Sequence, residues 1–169
     1  MPAVSNAAFV VIAIGMSVAT VVDLRTRRIP NELTATLAGI GVGLAAAGVS
    51  GVPLWASVLG FGAGLALMMP GHVLGATGAG DVKLMAAFGA IVGPGLVIKA
   101  FLFTAIAGGV LAVVVAIRRR RLAATLAGTS RLMGGSAETR ELLRTAPAAS
   151  RFAYGPAIAA GTIVAALVG

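Results

Sequence analysis

Residues 82–117 contain only two charged side chains, Lys83 and Lys99. A run of that length has no place in a water-soluble core, where helices average about 11–12 residues. In lipid it is expected. A crossing helix needs about 20 predominantly apolar residues, and its backbone polar groups must be satisfied within the segment, which forces a helix. The run is about twice one crossing, and Gly93-Pro94-Gly95 should break it into a hairpin, with the boundary between Gly93 and Lys99. Four further apolar runs cover Ala3 to Val22, Leu33 to Val49, Leu54 to about Gly75, and Phe152 to Val168. The third is interrupted near Pro70-Gly71. The expected fold is therefore an all-α integral membrane protein of about six transmembrane helices. It forms a single membrane-embedded domain over 1–169, with one sizeable extramembrane segment at about 118–151.

Composition agrees. The chain is 59% hydrophobic and 11% charged, against about 45–50% and about 25% in soluble domains. It has no cysteine, one histidine and five acids. No disulfide framework or thiolate site can form, and a multi-ligand metal centre lacks donors. No metal or cofactor is expected. The net charge of +8 could suggest nucleic acid, but aromatics are only 5% of the chain, too few for a base-stacking surface. The bilayer is the expected partner instead.

The basic residues sit at the ends of the apolar runs, where they orient a membrane protein. None precedes the first run, so a cleavable signal peptide is not expected. Arg25, Arg27 and Arg28 follow it, which puts that end in the cytoplasm and the N-terminus outside. With six crossings the cytoplasmic segments are 23–32, 76–83 and 118–151, and these hold 12 of the 13 basic residues. Only Lys99 falls elsewhere. In 118–151, Ser136 could cap a short helix with Glu138 in its first turn. Arg140 and Arg144 would then share a face suited to anionic headgroups. Arg118 to Arg121 reads as a stop-transfer anchor. The pairs Gly39/Gly43, Gly60/Gly64 and Gly71/Gly75 have the spacing that lets helix backbones approach in lipid.

This topology has a chemical consequence. Asp23 ends the first crossing and Asp81 begins the fourth, with an out-and-back hairpin between them. The only two aspartates in the chain should meet near the cytoplasmic face. Glu32, Glu138 and Glu141 are read as loop acids. Two carboxylates held together cannot both ionise cheaply, so they share a proton. That is the acid/base pair needed to hydrolyse an amide: one member takes a proton from water, the other donates to the carbonyl oxygen. Gly78 and Gly80, just before Asp81, would allow unusual backbone angles and the close approach of another strand.

Plainer readings exist for each residue. Asp81 could be the N-cap of its helix. Asp23 opposes the dipole at a helix C-terminus, but could pair with Arg25, Arg27 or Arg28. Lys83 reads as a snorkelling or site-shaping cation, His72 as an interfacial or packed residue rather than a base, and Trp55 as an aromatic-belt residue.

"DLRTRRIPNELT" (Asp23 to Thr34), "GAGDVKLMAAFGA" (Gly78 to Ala90) and "FAYGPAIAAG" (Phe152 to Gly161) resemble three blocks of the type IV prepilin peptidases, the GxGD membrane aspartyl proteases. The resemblance implies catalytic Asp23 and Asp81, with Gly78, Gly80 and Lys83 shaping the site. It implies a prepilin or pseudopilin substrate with a short basic leader, cut at the cytoplasmic boundary of the bacterial inner membrane, with pilus assembly machinery as a further partner. The long form of that family carries a cytoplasmic insertion, often with Cys-x-x-Cys pairs, and methylates the new N-terminus. Only about ten residues separate the first two runs here and cysteine is absent, so this chain resembles the short peptidases of tight-adherence (Flp-type) pili. Methyltransferase activity is not implied. Two other classes compete: a proton-coupled transporter or channel subunit, which would want ionisable groups staggered through the membrane, and a non-catalytic scaffold of a pilus or secretion assembly.

Overall fold

The computed structural model describes residues 4–74, 77–118 and 155–168. They form five helices: α1 (Asn6–Thr26), α2 (Asn31–Ala46), α3 (Leu54–Val73), α4 (Ala79–Arg118) and α5 (Gly155–Val168). α1, α3 and α4 as far as Val110 are long and apolar enough to cross a membrane. α2, at 16 residues, and α5, at 14, are shorter. The capping expected at Ser136 and the other features of 119–154 lie outside the described residues.

The helix ends differ from the hydropathy boundaries for local reasons. The Ser5 hydroxyl accepts the Ala8 N–H and starts α1. α1 then runs a full turn past Val22 and stops where Arg27 turns left-handed (φ 54°), with its N–H on the Asp23 carbonyl. Asp23 therefore lies inside the last turn, not beyond it. Pro30, with its fixed φ, leads into α2. Glu32 is in the first turn of α2 rather than in a loop. A carboxylate there complements the positive helix end.

α4 is the centre of the bundle. Residues 84–93 are all buried, among them Leu84, Met85, Phe88 and Ile91. α3 lies antiparallel to this half. The Ser57 hydroxyl donates to the Ala90 carbonyl at 2.6 Å, Gly60 faces Gly89, and Gly64 faces Met85 and Ala86. α2 lies parallel to it, with Asn31 beside Lys83 and Gly41 against Ala90 and Ile91. α1 meets α2 through Gly15 and Leu37, and α5 meets the second half of α4 through Gly161 and Thr104.

The expected break in the long run falls at Gly93, whose φ of 79° and ψ of 177° are not helical. A Val97 methyl lies 3.2 Å from where a Cβ on Gly89 would be. A straight helix would separate those two positions by about 12 Å, so the chain turns back sharply at Gly93.

The glycine pairs divide. Gly60 and Gly64 lie in backbone contact with α4, and Gly71 packs on Thr77. Gly39 and Gly43 meet nothing: α2 turns Gly41 toward α4, which leaves the flanking pair on its outer face. Val10, Ile14 and Val18 on α1 and Ile98, Leu102, Ile106 and Val110 on α4 are exposed at four-residue spacing, outward apolar stripes suited to lipid. Trp55 is exposed at the start of α3.

Candidate active site

Asp23 and Asp81 are the only buried charged side chains among the described residues, at 6% and 8% exposure. They belong to the same end of the bundle, where α1 and α3 end and α2, α4 and α5 begin.

Each carboxylate is held by the beginning of a helix. Asp81 is the third residue of α4. Its Oδ2 accepts the Gly78 N–H at 2.9 Å, while the Asp81 and Val82 amides turn back to the Gly78 carbonyl. Gly78 is thus the cap and Asp81 the residue that reaches back to it, the second half of a capping box. The plainer reading of Asp81 as the N-cap itself gives way to this arrangement, in which Asp81 still serves the helix start. Asp23 Oδ2 accepts the N–H of Gly155, the first residue of α5, at 2.9 Å across 132 residues of sequence. The peptide dipoles of α4 and α5 both present positive ends to the acids, and their amides partly offset the burial of charge.

The glycines before Asp81 act by size rather than by angle. A Cβ on Gly80 would sit 2.9 Å from Ile29 Cβ and 3.2 Å from the Ile29 carbonyl oxygen. Its absence lets the α1–α2 connection lie against α4. Neither Gly78 nor Gly80 has positive φ; among the described glycines those are Gly48, Gly51 and Gly93. The unusual angles expected at 78 and 80 are not used, because both lie at a helix start where ordinary angles suffice.

Lys83 is exposed, and its Nζ donates to Asn31 Oδ1 at 2.8 Å. It joins α4 to the first residue of α2. His72 is exposed near the end of α3, with Nδ1 3.1 Å from the Thr77 carbonyl oxygen. Among the described residues no three His, Cys, Asp or Glu side chains group as a metal site.

Sequence reasoning missed Gly155. An amide donor has no side chain to read, although Gly155-Pro156 did sit inside one of the three quoted blocks, at a natural helix start.

A helical bundle with long apolar crossings and outward apolar stripes defines an integral membrane protein. The type IV leader peptidase family profile matches residues 10–113, more than half of the chain and inclusive of both aspartates. The protein belongs to that family, and so to a class of proteases. No curated protein and no solved structure matches it significantly.

Proposed function

We propose that this protein is an aspartic endopeptidase of the bacterial inner membrane. It removes the short basic leader from type IV or Flp-type prepilins at the cytoplasmic membrane boundary, with Asp23 and Asp81 as the catalytic pair. The observation that carries this reading is the presence of two buried carboxylates at one end of the bundle, each already accepting an amide hydrogen bond. In a chain with so few charges in its apolar regions, two such groups call for a function.

In the proposed reaction the pair holds one proton. The ionised member removes a proton from water as the oxygen attacks the scissile carbonyl. The protonated member donates to the carbonyl oxygen, giving a diol. As the C–N bond breaks, the acid that took the proton from water gives it to the departing amine, and a diol hydroxyl returns a proton to the other acid. One oxygen of each acid, Oδ2, accepts an amide N–H, from Gly78 on Asp81 and from Gly155 on Asp23, which would fix the carboxyl planes and leave Oδ1 for the reaction. Cleavage needs the substrate extended at the cut site.

The membrane arrangement proposed here counts six crossings: α1, α2, α3, the two halves of α4, and α5. The N-terminus is outside and the acids face the cytoplasm, on the side that carries 12 of the 13 basic residues.

The test is co-expression with a prepilin from the same genome, read by the mobility shift on leader loss. Asp23→Asn and Asp81→Asn keep side-chain shape and remove the acid. Each should abolish the shift while the protein stays in the membrane fraction. Full processing by either variant would rule out the acid/base pair and favour a scaffold.

A further inference from the structure

The Gly78 amide that holds Asp81 belongs to the Thr77–Gly78 peptide unit. The other end of that unit, the Thr77 carbonyl, is 3.1 Å from Nδ1 of His72. A carbonyl oxygen can only accept, so Nδ1 must carry the proton and donate. The peptide is planar and trans, so its C=O and N–H point in opposite directions. His72 and Asp81 therefore grip the two ends of one rigid plate. Two further contacts hold the same residue: the Thr77 N–H donates to the Gly71 carbonyl at 3.2 Å, and the Thr77 side chain packs on the bare Cα of Gly71, 3.2 Å from where a Cβ would be.

We propose that His72 is a positioning residue for the acid pair: its Nδ1–H orients and polarises the Thr77–Gly78 peptide, whose N–H aims Asp81. A hydrogen bond to the carbonyl end makes the amide end a better donor, because bonds in a chain polarise one another. The ring itself touches neither acid and carries out no proton transfer. The inference rests on the peptidase reading above, since it gives Asp81 a task that needs aim.

The experiment uses purified full-length protein in detergent micelles with the co-expressed prepilin as substrate. Asn places a donor where Nδ1 lies; Gln places one nearer Nε2. His72→Ala should lower kcat about three- to tenfold with KM unchanged, the scale of one neutral hydrogen bond. His72→Asn should restore kcat to within about twofold, and His72→Gln should not. A packing role would not distinguish Asn from Gln, and the exposed ring makes misfolding a poor explanation of any loss. Wild-type kcat in His72→Ala, or equal losses in the Asn and Gln variants, would overturn the proposal. Asp81→Asn is assayed alongside: if it remains active the peptidase chemistry itself fails, whereas an inactive Asp81→Asn with unaffected His72 variants sinks this inference alone.

Discussion

Gly155 has nothing beyond its backbone, yet Asp23 depends on it. A Cβ there would come within 2.7 Å of Asp23 Oδ2 and 3.0 Å of Asp23 Cβ, so either the carboxylate or the start of α5 would have to move. Displacing a reacting group by about 1 Å can cost about a hundredfold in rate. Gly155→Ala should therefore reduce leader removal about 10- to 100-fold while membrane insertion is retained; wild-type processing would show that the contact does not position Asp23. At this scale the aspartates were legible, because a carboxylate amid apolar residues needs a reason. The way they are held was not. Gly78 and Gly155 stood inside the quoted blocks, but they act through backbone amides, which every residue except proline has, and His72 acts on a carbonyl. Motif spacing marked the two glycines without telling that their N–H groups would bond the acids.

The helices themselves were legible because lipid leaves so few options: an apolar run must be a helix, and Gly93-Pro94-Gly95 must interrupt one. Their ends were less so. α1 outruns its hydropathy by a turn since its stop is the left-handed Arg27, and Glu32 looks like a loop acid until Pro30 is seen to open α2 just before it. The glycine spacing told which helices approach closely only in part. Gly60/Gly64 and Gly39/Gly43 have the same pattern, but only the first pair is in contact. The two make a matched test. Gly64→Ala would drive a methyl to 2.6 Å from the Met85 carbonyl oxygen and should destabilise the protein by about 1–3 kcal/mol, as overpacking does. Gly43→Ala meets open space and should be neutral or stabilising by up to about 1 kcal/mol from helix propensity. Unfolding in mixed detergent micelles, followed by far-ultraviolet circular dichroism, reads both. Equal destabilisation of the two would contradict the α3–α4 contact.

For the whole molecule, the orientation in the bilayer can be tested cleanly because the chain has no cysteine. In Asn6→Cys, Thr26→Cys and Gly95→Cys, each at an exposed position, a membrane-impermeant maleimide applied to intact cells should label residues 6 and 95. Residue 26 should react only after the membrane is opened. Labelling of residue 26 in intact cells would put Asp23 on the outer side and remove the proposed access to a cytoplasmic leader.

The bond from Gly155 to Asp23 also has a meaning in time. A ribosome makes Gly155 132 residues after Asp23, so the first acid is synthesised long before its amide partner. The bond forms only once α5 has joined the bundle. On the proposed function, a chain interrupted before α5 should hold both aspartates and yet leave the leader uncut.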